Sequence, residues 1–520
     1  MLKKTLPVLL QLFVVTSSSA FNLDSLLIVS IGGQEAYDTL KQMTSYRAEG
    51  SVNLNGQQGR FEEYFVTPNK FYLEAHFEGF SIAQAYDGRI AWQKDHNGRI
   101  SVLEGLEKRE LLKNLYFESF AYLFPGRLPG ELEYRGQTVK DGEIYHEVAF
   151  YPLMTDTVLV YYDIQSGLRK LMLSRLDNLS TITHVGKYQE VSGILVPFYS
   201  KATCEGVSLF SEFELETVAI NVPIDTSIFS IPSTGLADYH FPAEVPYVVV
   251  PFQYLAGHII LSATINGKKR VRLILDSGSS ANILHKPVLE QLGLPVVGTL
   301  PARGIDGFEQ VDLVKIDSIS IGQLTLYDQI AGSLDLSQLK RADTKYEDFG
   351  GLLGYDFLSR FPVLIDFQNS ILTVYNPQGF KPPSGGVEVG FYLTMLVPTV
   401  RGELIGIPGD FIVDLGNPFG LIVHWKFAKI NDLEKKLDDV RDIDSFSGIG
   451  GGLSSKTAYA ATFQIGDILI QSLQVILPDS SAGLAGSDQL AGNIGNLILE
   501  NFNVLLDYKN SRLIFYVSDT

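Results

Sequence analysis

The chain has 520 residues, 45% of them hydrophobic and 19% charged, with a formal net charge of −18. That length exceeds what one hydrophobic core fills and predicts about three domains or lobes, while the acidic balance, with no basic patch able to neutralise phosphates, argues against a nucleic-acid partner. With 25 Tyr and 31 Phe beside abundant Val and Ile, the composition is that of ordered globular material in which strands outweigh helices.

Lys3 and Lys4, an apolar run from Leu6 to Val15 and the small residues Ser18-Ser19-Ala20 stand in that order at the start. The order predicts a secretory signal peptide over residues 1–20 and a mature chain beginning near Phe21. The apolar run is shorter than the roughly 20 residues a bilayer span needs, and no later stretch is long and apolar enough, so no transmembrane segment is expected in the mature chain. Cys204 is the single cysteine, which excludes an intrachain disulfide, whereas an exported eukaryotic protein of this size usually carries several. Export without disulfides points to the periplasm of a bacterium or to secretion from it.

Residues 21–235 read as a first, mainly β domain. A helix is expected from Gln34 to Met43. Period-two segments follow, broken by the turn pairs Asn55-Gly56, Asp87-Gly88 and Asn97-Gly98, so antiparallel hairpins are expected. The stretch from Leu106 to Phe124, with Leu111, Leu115, Ser119 and Tyr122 at helical spacing, predicts a helix of about four turns. Strand-like segments resume from Val158 to Val207, and one helix against a curved antiparallel sheet is the economical architecture. Trp92 is expected in its core.

Four segments of this domain, VTPNKFYLEA (Val66 to Ala75), AYDGRIAWQ (Ala85 to Gln93), YYDIQSGLRK (Tyr161 to Lys170) and YQEVSGILVPF (Tyr188 to Phe198), resemble the periplasmic lipoprotein-carrier and sorting-factor (LolA-like) superfamily. They are turn and packing signatures, so the resemblance implies a fold and not an activity. It implies either a pocket for lipid or lipoprotein acyl chains or a domain that presents substrate.

The Gly- and Pro-containing stretch Ser233 to Pro246 lacks hydrophobic periodicity and is expected to be a linker. After it the chain says nearly the same thing twice. GLLGYDFLSRFPVLIDFQNSILTVY from Gly351 and GNIGNLILENFNVLLDYKNSRLIFY from Gly492 are identical at 11 of 25 positions. Each copy follows an apolar strand that ends in Asp-x-Gly, at Asp276 and at Asp414. Asp276 and Asp414 are 138 residues apart, and Gly354 and Gly495 are 141 apart, so two lobes of equal length are expected over 236–380 and 381–520.

An aspartate followed by glycine at the end of a buried strand brings a carboxylate and neighbouring N–H groups to one point, because glycine permits the sharp turn. A hydroxyl between them can bond to the other lobe. One such tripeptide is an ordinary turn. Two of them in matched strand contexts can place two carboxylates on one water. Such a pair cannot both ionise, so one holds a proton while the other activates the water, which suits hydrolysis of a peptide bond.

With these motifs the region from Tyr247 to Thr520 resembles the aspartyl protease superfamily, in particular its bacterial retropepsin-like group with two lobes fused in one chain. The resemblance implies a six-stranded, interlocked β-barrel in each lobe, a cleft between them and a Gly-rich flap over it. It makes Asp276 and Asp414 the catalytic pair, with Ser277, Gly278, Ser279, Leu415, Gly416 and Asn417 as the active-site loops. Leu415 replaces the Thr or Ser of that pattern and Asn417 follows, so the second loop has diverged at both positions. Leu415 cannot donate the cross-lobe bond, an expected loss of about 1–3 kcal/mol where a buried partner stays unsatisfied. Flap candidates are Gly304, Ile305 and Gly307 in lobe one and Gly448, Gly450 and Gly451 in lobe two, where glycine would supply a hinge.

Asp366 and Asp507 lie in matched Asp-x-x-Asn turns and are expected to cap hairpins. His285 and His424 are expected to end a strand or start a helix. No metal-ligand spacing, phosphate loop, nucleophile elbow or dinucleotide fingerprint appears, so neither metal nor cofactor is expected. The sequence thus predicts an exported aspartic endopeptidase acting on peptide or protein as a monomer, since fused lobes need no dimer. The alternative is a catalytically degenerate envelope protein that binds peptide in the cleft, or lipid or lipoprotein in the first domain.

Overall fold

The computed structural model describes residues 21–152, 156–232, 238–337, 348–448 and 451–517, without the side chains of 444–453, and the expected signal peptide lies outside these residues. Thirteen strands of the first domain form one antiparallel sheet. From Ile100–Val102 it runs through Ala91–Lys94, Phe80–Tyr86, Lys70–Phe77 and Gln57–Val66 to Ser45–Leu54. There it crosses to Phe210–Ile220 and returns through Ile194–Cys204, Leu179–Val191, Arg169–Leu176, Val158–Asp163 and Glu143–Pro152 to Gly130–Lys140. The turn glycines behave as the hairpin reading requires: Asn55 and Gly56 have φ of 53° and 98°, the positive values of a type I′ turn.

Three helices pack on this sheet, Leu23–Ser30, Gln34–Gln42 and Gly105–Glu118; the second and third were expected and the first was not. The first is too apolar and short to show a helical period. The third ends before Tyr122, contrary to the spacing. Phe120 enters the left-handed region at φ 54°, and the Ala121 N–H to Tyr116 and Phe120 N–H to Phe117 bonds, 3.0 and 3.1 Å, close a Schellman cap. Leu40, Leu111 and Leu115 pack on Phe65 and Phe71. Phe61 lies four residues before Phe65 on the same strand and so shares its face, yet it packs with Leu313 and Ile330 of lobe one. One sheet face therefore covers the helices and also packs on lobe one. Trp92 is buried, its Nε1–H donating to the Phe229 carbonyl at 2.8 Å.

Lobe one is a nine-stranded sheet and lobe two an eight-stranded one. In each, the strand that ends in the aspartate lies parallel to the strand that opens the repeat: Lys269–Leu275 with Phe349–Leu353, and Ile407–Val413 with Gly492–Ile494. Each lobe also closes the six-stranded ring that was expected: His258–Ile265, Lys269–Leu275, Phe349–Leu353, Ile283–His285, Leu324–Leu334 and Phe308–Ile321 return to His258–Ile265 in lobe one, and Val397–Leu404, Ile407–Val413, Gly492–Ile494, Leu421–Val423, Ile468–Pro478 and Gly451–Ile465 return to Val397–Leu404 in lobe two. A third sheet, which both lobes build together and the sequence did not announce, runs in the order Tyr247–Pro251, Ile371–Tyr375, Val363–Asp366, Phe502–Asp507, Arg512–Val517, Val387–Gly390. At its centre Leu364 pairs with Leu505. These two occupy the same place in the two repeats, so the pseudo-two-fold axis passes between them. Asp366 and Asp507 cap their hairpins, each accepting from the backbone and side-chain N–H of an asparagine three residues on.

The expected linker is also corrected. Residues 233–237 lie outside the described part, but Tyr239–His240 joins the lobe-one sheet opposite Leu326 and Thr325, and Asp238 accepts from Arg360 Nε at 3.1 Å. Two residues are too few to show a strand period. No helix among the described residues is long and apolar enough to cross a membrane.

Candidate active site

The two Asp-x-Gly loops meet where the lobes face each other. Each aspartate N–H is held by the opening strand of its own repeat, Asp276 by the Leu353 carbonyl and Asp414 by the Ile494 carbonyl, both at 2.9 Å. Each carboxylate takes the N–H two residues on: Gly278 to Asp276 Oδ1 at 2.9 Å and Gly416 to Asp414 Oδ1 at 2.8 Å. The glycines are needed for a reason the sequence did not offer. A Cβ on Gly278 would lie 2.4 Å from the Asp414 carboxyl carbon, and one on Gly416 would lie 2.5 Å from that of Asp276. Close approach of the opposite carboxyl, rather than the turn itself, excludes a side chain there.

The cross-lobe tie expected to suffer from Leu415 is made by one residue. Ser277 Oγ donates to the Val413 carbonyl at 2.7 Å and accepts the Leu415 N–H at 2.9 Å, so a single hydroxyl bonds both sides of the opposite aspartate. Leu415 is fully buried among the apolar residues of the shared core. Its side chain adds packing where a hydroxyl would have added the second tie. Ser279 Oγ turns to the Ala281 carbonyl at 2.8 Å within its own loop.

Asp276 and Asp414 lie within hydrogen-bonding reach of each other. Burial first, and then the adjacent Asp414, push the Asp276 carboxyl well above the usual range; N–H donation from Gly278 and Ser279 opposes this only in part. Two carboxyls so close cannot both stay charged, so the pair holds one proton between them.

A residue that the sequence reading missed completes the site. Asn493, in the opening strand of the second repeat, donates from Nδ2 to Asp414 Oδ2 at 2.7 Å. Asn417 Nδ2 donates to Asn493 Oδ1 at 2.9 Å, and Asn417 Oδ1 accepts the Phe419 N–H at 2.9 Å. The available signal was the mismatch of Leu352 and Asn493 within otherwise similar repeats. The Tyr508 phenol, also unremarked, is buried, and both aspartates raise its pKa, after burial and Tyr355.

Of the flap candidates, Gly304, Ile305 and Gly307 form the tip between Val296–Arg303 and Phe308–Ile321. The tip is bonded to lobe two: the Gly304 and Ile305 carbonyls accept the Leu484 and Ala485 N–H groups, each at 3.0 Å. The corresponding tip in lobe two lies between Asp438–Gly448 and Gly451–Ile465, so Gly448 and Gly451 end strands, while Ile449 and Gly450 fall outside the described residues. His285 and His424 are buried at strand ends that open helices. Among the described residues no three His, Cys, Asp or Glu side chains gather as a metal site.

No curated protein matches the chain. Among solved structures, an aspartic proteinase from Irpex lacteus is 14% identical and pairs 52% of this chain with 98% of its own at a TM-score of 0.33. A putative outer membrane lipoprotein-sorting protein domain from Vibrio parahaemolyticus is 10% identical over 40% of this chain and 96% of its own, TM-score 0.29. A LolA superfamily protein from Nitrosomonas europaea is 11% identical over 41% and 99%, TM-score 0.30. Residues 261–357, which hold Asp276, its loop and the opening strand of the first repeat, match the aspartyl protease family.

Proposed function

We propose that the protein is an exported aspartic-type endopeptidase in which Asp276 and Asp414 share one water. The observation that carries this reading is that each carboxyl lies against the other loop's glycine, so that the two meet at one buried point, where burial and the adjacent Asp414 push the Asp276 carboxyl up. Asp414 takes a proton from the water as its oxygen attacks the scissile carbonyl carbon. Asp276 gives its proton to the carbonyl oxygen, and a neutral tetrahedral diol forms. Asp414 then passes its proton to the amide nitrogen, the C–N bond breaks, and Asp276 recovers a proton from a diol hydroxyl. Both groups end as they began, so the cycle needs no cofactor. Export rests on the basic, apolar and small-residue order of the first twenty residues.

The chain starting at Phe21 is expected to cleave casein in a pepstatin-sensitive manner. Asp276→Asn and Asp414→Asn should each lower kcat/KM by at least about 100-fold while keeping the melting temperature of a folded protein. No cleavage anywhere from about pH 3 to about pH 8, by a chain with intact folding, would sink the proposal.

A further inference from the structure

We infer that Asn493 is a positioning residue that fixes the polarity of the aspartate pair, making Asp414 the water-activating base and leaving the proton to Asp276. The inference rests on the peptidase reading and deepens it. Amide oxygen and nitrogen can be exchanged by a flip, so the direction of a chain of amides needs an anchor. Here the anchor is a backbone group. The Phe419 N–H can only donate, so the Asn417 atom it meets at 2.9 Å is the oxygen. Asn417 Nδ2 is then the donor to Asn493, both to its carbonyl at 3.2 Å and to its Oδ1 at 2.9 Å. With its oxygen so engaged, Asn493 presents Nδ2 to Asp414 Oδ2 at 2.7 Å.

Asp414 therefore receives N–H donors at both oxygens, Gly416 at Oδ1 and Asn493 at Oδ2. Donors favour the charged form of a carboxyl, because only unprotonated oxygens accept without competition. Among the described residues lobe one shows no such side-chain donor: Asp276 takes backbone N–H groups, from Gly278 and Ser279. The residue matched to Asn493 is Leu352, a buried alkyl side chain, and Ser279, matched to Asn417, spends its hydroxyl on the Ala281 carbonyl. Asn417 and Asn493 are themselves buried, 4% and 5% exposed, and a buried amide pair in an otherwise apolar strand is retained at a cost unless its bonds are used. The divergence of the second loop from the first at Asn417 thus acquires a purpose. Duplicated lobes would give a symmetric pair with the proton on either side, and the two asparagines break that symmetry.

The test is Asn493→Leu, which installs lobe one's own residue, with Asn417→Ala as a second variant that leaves Asn493 in place but undirected. In wild type and both variants, kcat and KM are measured against pH, and the Asp414 carboxyl is followed by carbon-13 NMR of aspartate-labelled protein, its signal identified with Asp414→Asn. Expected in Asn493→Leu is a fall in kcat of about 10-fold or more, little change in KM, and a move of the acid limb upward by about one pH unit. The Asp414 titration should move with it, and Asn417→Ala should shift both less, in the same direction. A lower kcat with an unmoved acid limb and unmoved titration would mean that Asn493 only packs the strand, and would overturn the inference. An inactive wild type would instead remove the peptidase reading, while the NMR titration would still decide whether Asn493 acts on Asp414. If Asn493→Leu fails to fold, an unshifted titration in Asn417→Ala overturns the inference on its own.

Discussion

The raised Asp276 carboxyl has a thermodynamic consequence beyond catalysis. The folded-state pKa is raised, by burial first and by Asp414 second, so above the unfolded value near 4 the native state binds a proton that the unfolded chain has released. The stabilising side of this linkage is fully present below that value and is lost as pH rises through the folded pKa. The pair thus costs stability at neutral pH, as functional groups often do. Asn in place of Asp276 keeps the shape and removes the ionisation. Asp276→Asn is expected to raise the melting temperature at about pH 7 and to leave it nearly unchanged at about pH 3, which calorimetry at the two pH values would check. A variant less stable than wild type at neutral pH would contradict the assignment of the proton.

At the scale of elements, the shared six-stranded sheet makes the lobes one folding unit. Val363 of the first repeat and Leu506 of the second pair in register, both fully buried in a core that draws on both lobes. Leu506→Ala should cost about 2–5 kcal/mol, and the loss should appear in a single transition for both lobes; a separate early melting of lobe two would show that the sheet does not couple them. The elements that were legible in the sequence are those with local causes. Asn55-Gly56 reads as a tight turn because its backbone needs positive φ, and both residues have it. The repeat was legible because its packing positions were kept. The sheet that the two repeats form together was not, since pairing Leu364 with Leu505 depends on contacts 141 residues apart that leave no local period. Asn493 was missed for a related reason: one polar letter in a buried strand acquires meaning only when Asp414, 79 residues away, is seen to face it.

At the scale of the whole molecule, the first domain grips both lobes through the tip of one hairpin. Asp177 and Asn178 form the turn between Arg169–Leu176 and Leu179–Val191. Asp177 pairs with Arg303 at 2.7 Å, with side chains 2% and 9% exposed, and its Oδ1 accepts from Ser487 Oγ and the Asp488 and Gln489 N–H groups at 3.0, 2.6 and 3.2 Å. Arg303, at the foot of the lobe-one hairpin tip, also donates to Asn178 Oδ1 and to the Gly483 carbonyl of lobe two at 2.6 and 2.7 Å. Beside them burial, and then the Arg303 charge, push His424 down to about 4, so it adds no second cation at neutral pH. The junction therefore balances one buried cation with one buried anion. Removing the anion leaves Arg303 uncompensated and three donors without their acceptor, a defect that typically costs about 3–5 kcal/mol for a buried pair. Asp177→Ala should lose that much stability, and hydrogen exchange should quicken at residues 303–307 and 481–489 well before the core strands of either lobe. Exchange that stayed as slow as in wild type would show that the hairpin tip is held by its own lobe contacts, and that the first domain only rests against it.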